Sequence, residues 1–214
     1  INIKSSNIFT GEGVNVGIID EGYPNDTTNF QNNEIKEHNT TYTSDHTTKV
    51  ASIIGGTHGI ATNADLFIHA YDPDISAYNF DDAIDWLLNK GVNVVNISMY
   101  SDSININQGK YDGHSAYLDY IVWNNYLTIV KSAGNRGATD DYITNPGVGI
   151  NTLSVGSIDY EKNISYFSSW KVNSSVDDFL MKPSLVAPGE AITFLIPFSF
   201  NKERTIWTLR SAVL

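Results

Sequence analysis

The chain has 214 residues, 41% hydrophobic and 12% aromatic, which is enough for one α/β domain with a substantial core. Its formal net charge of −11 argues against nucleic acid or anionic lipid as a partner, because both would be repelled. Cysteine is absent, so a disulfide framework, a thiolate zinc site and a cysteine nucleophile are all excluded.

The first predicted element is a short strand that ends on a carboxylate. The stretch from Val14 to Gly22 is rich in Val and Ile, which favours a strand buried on both faces of a parallel sheet. Asp20 stands at its carboxyl end, where ligands and chemistry gather in open α/β sheets. Taken alone, Asp20 is equally well explained as a turn residue.

A helix is predicted next, from Asp45 as its N-cap to Gly55, with His46 in the first turn. The pattern then alternates, with predicted strands at 65–71, 92–99, 127–132, 153–158 and 184–187 and predicted helices at 80–91 and 115–126. Such alternation implies right-handed crossovers. We therefore expect one α/β domain over residues 1–214, with a mainly parallel twisted sheet between helices in three layers.

Neither end of the chain predicts a membrane segment. The longest apolar run, residues 191–200, is too short to span a bilayer, so we expect no membrane insertion. The start shows no signal peptide, and a processed or excised domain would begin in this way.

Three polar residues fall at the ends of predicted core elements: Asp20, His46 and Asn135. Their chemistry suits acyl transfer, because a carboxylate can orient an imidazole, the imidazole can take a proton, and an amide can donate to an oxyanion. Each residue alone is a weak indication. A lone histidine in a helix is more often structural, and Asn-Arg-Gly is a common turn.

Longer segments around these residues carry more information when they are taken in order. They lie at 9–22 and 45–55, around the aspartate and the histidine, at 91–99, at 132–135, and at 59–66, 152–158, 164–169 and 182–189. The first four resemble, in turn, the catalytic Asp motif, the His helix, the substrate-pairing edge and the oxyanion segment of the subtilisin-like serine proteases (subtilase family, peptidase S8 type). The other four resemble further landmarks of the same family. The resemblance covers roughly Gly11 to Gly189.

The resemblance implies a role for each member of the trio. Asp20 would hold His46 in the correct tautomer and stabilise its imidazolium. His46 would act first as general base and then as general acid. Asn135 would donate its side-chain amide to the tetrahedral oxyanion. The implied reaction is peptide-bond hydrolysis without a cofactor, by an extracellular or cell-surface enzyme.

The resemblance also implies how a polypeptide substrate would bind. Ser98 and Met99 would pair with an extended peptide by strand addition. Tyr100 stands where the family has glycine and would crowd the adjoining pocket. The wall of the pocket for the residue before the scissile bond would consist of Ser132, Ala133 and Gly134.

Some segments depart from the family pattern. Thr47 replaces the glycine that normally follows the catalytic histidine. The loop at 55–59 is too short for the calcium loop that the family often carries, and we predict no metal there. Residues 72–76 place oxygen ligands at alternate positions but lack the glycine and closing glutamate of an EF-hand, so we interpret them as a solvated acidic turn.

The largest departure concerns the nucleophile, which the family places in a Gly-Thr-Ser segment opening a long helix after Pro188-Gly189. Residues 191–214 have no such segment and do not look family-like. Ser211 lies near the expected spacing, but three following residues cannot build that helix. Ser199 sits in an apolar run with no glycine before it. We therefore expect the nucleophile helix to be lacking and this chain to be inactive.

Two explanations of the missing nucleophile stay open. The chain is either a truncated or frame-disrupted protease, or a pseudoprotease that binds peptides with the same edge and pocket. In both cases the missing helix would expose an apolar groove, so we expect low solubility or self-association.

Two other classes of protein fit the sequence poorly. A dinucleotide-binding module would need its glycines after the first strand, whereas Gly11 and Gly13 precede it. A metal hydrolase is the second, and it would use His38, His46, Asp20 and Glu21. The chain has no His-Glu-x-x-His spacing to support it.

Overall fold

The computed structural model describes residues 9–30, 35–38, 42–71, 80–99, 109–137, 142–172, 181–190 and 192, with only the backbone described at 35–38 and 71. The chain divides into two compact units. The first comprises Ile1–Val95 with Phe194–Ile206, and the second comprises Asn96–Thr193 with Trp207–Leu214. The single domain over residues 1–214 stays a prediction.

The described residues of the first unit form five strands and two helices: β1 (Asn15–Glu21), β2 (Tyr23–Pro24), β3 (Ile35–His38), β4 (Thr43–Ser44), α1 (Asp45–Gly55), β5 (Asp65–Tyr71) and α2 (Phe80–Asn89). A further strand, β6 (Val94–Ile97), begins in this unit and ends in the second. The larger sheet has the strand order β3-β5-β1-β6 here, and β2 pairs with β4 separately.

The sheet of the first unit is built around β1. It pairs in parallel with β5, so that Ile18 lies opposite Ile68 and Asp20 opposite Ala70. Ile18, Ile19 and Ile68 are fully buried. A strand whose consecutive residues are all buried is typical of a parallel sheet covered on both faces. The predicted buried strand is therefore confirmed, although it ends at Glu21, one residue beyond Asp20.

Helix α1 is capped one residue earlier than the sequence predicted, and it begins at Asp45 itself. The N-cap is Ser44, whose backbone is extended and whose hydroxyl accepts from the His46 N–H. Asp45 is the first helical residue, where its negative charge favours the positive end of the helix dipole. Asp45 as N-cap was therefore wrong, but His46 lies in the first turn as predicted.

The second unit contains α3 (Gly113–Asn125), β7 (Thr128–Ser132), β8 (Leu153–Ile158) and β9 (Leu185–Pro188). The strand order is β6-β7-β8-β9, and β8 pairs in parallel with both β7 and β9. Helix α3 starts two residues earlier than predicted, because Asp112 caps it by accepting from the Ser115 N–H. None of the helices in the described part of the chain has the length and apolarity needed to cross a membrane.

Candidate active site

Asp20 and His46 meet at the end of β1. Asp20 is the penultimate residue of the strand, and the first turn of α1 presents the imidazole to its carboxylate. His46 Nδ1 lies 2.7 Å from Asp20 Oδ1, although the two residues are 26 positions apart in the chain. The side chain of Asp20 is fully buried, whereas 32% of the His46 side chain is exposed. The pair therefore has one member fixed in the core and the other reachable from solvent.

The surroundings of Asp20 explain how it orients the imidazole. Its Oδ1 atom also accepts from the backbone N–H of Glu21 at 2.7 Å. Its Oδ2 atom is buried and has no hydrogen-bond partner among the described residues. A carboxylate on Nδ1 holds the ring proton there in neutral imidazole, which leaves Nε2 as the basic nitrogen.

The electrostatics of the pair favour a protonated His46. Burial lowers the pKa of the imidazole, but the hydrogen bond to Asp20 and the negative charges of Asp20 and Glu21 outweigh it. Lys49 opposes them with a smaller effect. As a result, the pKa of His46 lies above its ordinary value of 6.5. An imidazole whose protonated form is stabilised in this way can take up a proton near neutral pH.

Two threonines follow His46 and hydrogen-bond α1 to the last residue of β1 and to the chain beyond it. Thr47 is fully buried, and its hydroxyl donates to the carbonyl of Glu21 at 2.6 Å. The Thr48 hydroxyl accepts from the Asn25 N–H at 2.9 Å and donates to the Ser44 carbonyl at 3.0 Å. Sequence reasoning identified Thr47 only as a departure from the family. Its polar, β-branched side chain in place of glycine was the available signal.

In the second unit, the segment that follows β7 forms a tightly bonded loop. The Ala133 carbonyl accepts from the Thr144 N–H at 2.8 Å, and the Gly134 carbonyl accepts from the Ser169 N–H at 2.9 Å. Gly134 has a φ of 111°, and a Cβ atom there would lie 2.4 Å from the Thr144 methyl group. Glycine is therefore required at this position by both conformation and space.

The loop leaves Asn135 exposed, while Ser132 and Gly134 are half-buried and Ala133 is buried. An exposed amide at the end of a constrained loop can donate to a ligand. This placement is compatible with an oxyanion donor, and that role stays a prediction.

Lys131 lies within β7, beside this loop, and sequence reasoning missed its importance. Only 1% of the residue is exposed. Its ammonium donates to the Ser132 carbonyl at 2.8 Å, to the Ser132 hydroxyl at 3.1 Å and to the Thr144 hydroxyl at 3.2 Å. Because an ammonium is costly to bury without hydrogen bonds, these contacts account for its position. A lysine inside an apolar strand was the signal in the sequence.

Ser98 and Met99 follow the end of β6 in the second unit and are half-buried. The Ser98 hydroxyl accepts from the Asn96 side-chain amide at 2.8 Å. Several predictions concern residues outside the described ranges: Tyr100, Ser211, the acidic turn at 72–76, and the stretch 193–214, where we expect no nucleophile helix. The strand-addition role of Ser98 and Met99 and the crowding by Tyr100 stay predictions.

The same described residues offer no cluster of metal ligands. They contain no group of three or more His, Asp or Glu side chains that could hold a metal ion. The expected absence of calcium at 55–59 stays a prediction.

Comparisons with known proteins give a consistent result. The model of the subtilase family matches residues 11–212. The human membrane-bound transcription factor site-1 protease is 27% identical over an alignment of 210 residues. The match covers 86% of this chain but only 18% of that protein. The match therefore spans a small part of that relative's length.

Solved structures agree on the fold. The prenylagaramide maturation protease PagA is 22% identical, with a TM-score of 0.67 over 92% of this chain and 68% of that chain. The patellamide maturation protease PatA is 25% identical, also with a TM-score of 0.67, over 89% and 71%. The predicted three-layer α/β class with a mainly parallel, subtilisin-like sheet is confirmed.

The family match extends further along the chain than the motifs that can be recognised by eye. Those motifs end at Gly189, whereas the family model continues to residue 212 and so includes Ser211. With the match covering nearly the whole chain, this protein belongs to the subtilase family.

Proposed function

We propose that this subtilase-family protease domain is a serine endopeptidase that hydrolyses peptide bonds through an acyl-enzyme. Asp20, His46 and Asn135 serve as orienting acid, general base and oxyanion donor. The observation that carries the proposal is the 2.7 Å contact between His46 Nδ1 and Asp20 Oδ1, with the carboxylate buried at the end of a parallel strand.

The chemistry of the pair follows from its geometry. His46 Nε2 takes the proton from an attacking hydroxyl, and Asp20 stabilises the imidazolium that forms. The same proton then passes to the leaving amine. Asn135 donates its amide to the oxyanion, a contact whose loss in serine proteases of this type costs on the order of a hundredfold or more in turnover.

The substrate class is an extended polypeptide. Ser98 and Met99 pair with its backbone, and Ser132, Ala133 and Gly134 line one wall of the pocket for the side chain before the scissile bond. Tyr100 narrows that pocket. Support for a peptide substrate comes from PatA, which is described as a maturation protease. We further propose an extracellular or cell-surface location, with neither nucleic acid nor bilayer as partner, on the family resemblance and the charge of −11.

The nucleophile decides whether these 214 residues turn over substrate. They contain no Gly-Thr-Ser triplet, and we propose that they are inactive when isolated. This observation also favours the second candidate function, a pseudoprotease that binds peptides without cleaving them. Ser211 is the serine to test, because it lies inside the family match.

The test is reaction with a fluorophosphonate probe, which labels serine only where a base activates it. We expect no labelling of the purified chain. Labelling that disappears in both Ser211→Ala and His46→Ala would show a working nucleophile and overturn the proposed inactivity.

A second arm separates a disrupted protease from a pseudoprotease. The coding sequence downstream of the codon for Leu214 is read in all frames, and any Gly-Thr-Ser segment is joined to the chain in frame. Restored labelling supports the endopeptidase. Saturable binding of a labelled peptide library without labelling supports the pseudoprotease, and the lack of both would overturn the two functions together.

A further inference from the structure

Thr47 occupies an unusual place beside the Asp20–His46 pair. It directly follows His46, and its hydrogen-bond acceptor, Glu21, directly follows Asp20. The bond between them is short, at 2.6 Å, and Thr47 is fully buried. A second link therefore joins β1 and α1 one residue beyond the catalytic contact.

These bonds close a ring around the pair. The Glu21 N–H donates to Asp20 Oδ1, and the carbonyl of the same Glu21 accepts from the Thr47 hydroxyl. From Thr47 the backbone leads to His46, whose Nδ1 returns to Asp20 Oδ1. Glu21 is therefore held at both ends, and its position fixes the distance between carboxylate and imidazole.

We propose that Thr47 is a positioning residue, whose hydroxyl sets the Asp20–His46 contact by holding the first turn of α1 against the end of β1. The inference rests on the proposed acid–base role of that pair. Glycine, which the family resemblance places here, has no side chain with which to make this bond. Threonine is suited to it because β-branching restricts its χ1 rotamers.

The role has a measurable consequence at His46. The hydrogen bond and charge of Asp20 raise the pKa of the imidazole, and both weaken as the separation grows. The other charged groups that act on the ring are Glu21 from β1 and Lys49 from α1, and both stay in place when Thr47 is changed. Loosening this closed set of hydrogen bonds should therefore lower the pKa of His46 toward its ordinary value.

The experiment compares Thr47→Val, which removes the hydroxyl but keeps the shape, with Thr47→Ser, which keeps the hydroxyl. The pKa of His46 is read from the pH dependence of its carbethoxylation by diethyl pyrocarbonate, with the modified histidine identified by mass spectrometry. We expect the pKa to fall by about half a pH unit in Thr47→Val and to stay near the wild-type value in Thr47→Ser.

Thr57→Val is the matched control. Thr57 also donates its hydroxyl to a backbone carbonyl of the same unit, that of Asn29 at 2.8 Å, but it lies beyond the opposite end of α1. We expect this change to lower stability toward urea without moving the pKa of His46. If Thr47→Val does not fold, Thr47→Gly removes the same hydroxyl with the family's own residue and should show the same fall.

The outcomes are distinguishable. An unchanged pKa in Thr47→Val or Thr47→Gly, or an equal fall in Thr57→Val, would overturn the role of Thr47 and leave the proposed function intact. A wild-type His46 that titrates at its ordinary value would instead show that the Asp20 contact is absent, which would undermine the proposed function. Neither readout requires peptide turnover.

Discussion

At the scale of single residues, the Asp20–His46 contact links protonation to stability. The His46 imidazole has a pKa above 6.5 in the folded chain, whereas in the unfolded chain it has the ordinary value. A group with a raised folded pKa stabilises the protein fully at pH values below its unfolded pKa. That contribution is lost as the pH rises through the folded pKa.

We predict that Asp20→Asn removes this pH dependence. The free energy of unfolding of wild type minus that of the variant should be largest near pH 6 and should shrink toward about pH 9. Urea denaturation at a series of pH values measures it. His46→Gln serves as the second variant and should give the same trend. A difference that grew with pH would contradict the assignment of a raised pKa to His46.

At the scale of elements, the start of α1 depends on a cap that the sequence analysis placed one residue too late. Ser44 and Asp45 are both good N-cap residues, and only the extended backbone of Ser44 and its 3.0 Å bond from the His46 N–H identify the cap. Since His46 lies in the same turn, the cap also helps to place the imidazole.

We predict that Ser44→Ala lowers the free energy of unfolding by about 1 kcal/mol, because one N–H at the helix start loses its acceptor. Ser44→Asp retains an acceptor and should lose much less. Urea unfolding monitored by far-ultraviolet circular dichroism would measure both. Equal effects of the two variants would argue against a capping role.

Helix α3 is attached to the loop before β8 through one buried carboxylate. Asp119 accepts from the backbone N–H groups of Ile150 at 2.8 Å and Asn151 at 2.7 Å, and from the Tyr111 hydroxyl at 2.9 Å. Burial, with the nearby Asp119 carboxylate second, raises the pKa of Tyr111 to about 12. This carboxylate thus connects a helix with a loop that is about 30 residues further along the chain.

We predict that Asp119→Ala lowers the free energy of unfolding by about 3 kcal/mol, because two backbone donors lose a charged acceptor in a buried site. Asp119→Asn keeps one acceptor oxygen and should cost about half as much. Chemical denaturation of the two variants tests this order. A loss below about 1 kcal/mol for the alanine variant would show that water replaces the carboxylate.

At the scale of the whole molecule, the exposed apolar side chains bear on solubility. Within the described part of the second unit, Tyr160 is 99% exposed, Met181 89% and Trp123 77%. Single exposed side chains are ordinary, but an apolar groove left open by a missing nucleophile helix would add to them and favour association.

We therefore predict that the isolated 214-residue chain self-associates. Sedimentation velocity at increasing concentration should show a rising average mass, and joining a downstream nucleophile segment should reduce it. A monomer with a sharp, cooperative melt at high temperature would contradict this expectation.

Local pattern was sufficient to predict much of the fold. The apolar run before Asp20 predicted a buried strand, and the 3,4 spacing of apolar residues from Phe80 onward predicted α2, because both depend on periodicity within one element. The order of motifs from Gly11 to Gly189 also predicted the family and paired Asp20 with His46 before any distance was known.

Tertiary structure decided the features that depend on partners far along the chain. Three sets of hydrogen bonds show this: from Thr47 to Glu21, from Lys131 to Thr144, and from Ile150 and Asn151 to Asp119. They join residues that are 13 to 32 positions apart. A side chain's hydrogen bonds depend on which groups the fold brings to it, and no local periodicity encodes them. The sequence by itself therefore determined the class of the protein and the pairing of Asp20 with His46, whereas only the tertiary structure revealed the hydrogen bonds around that pair.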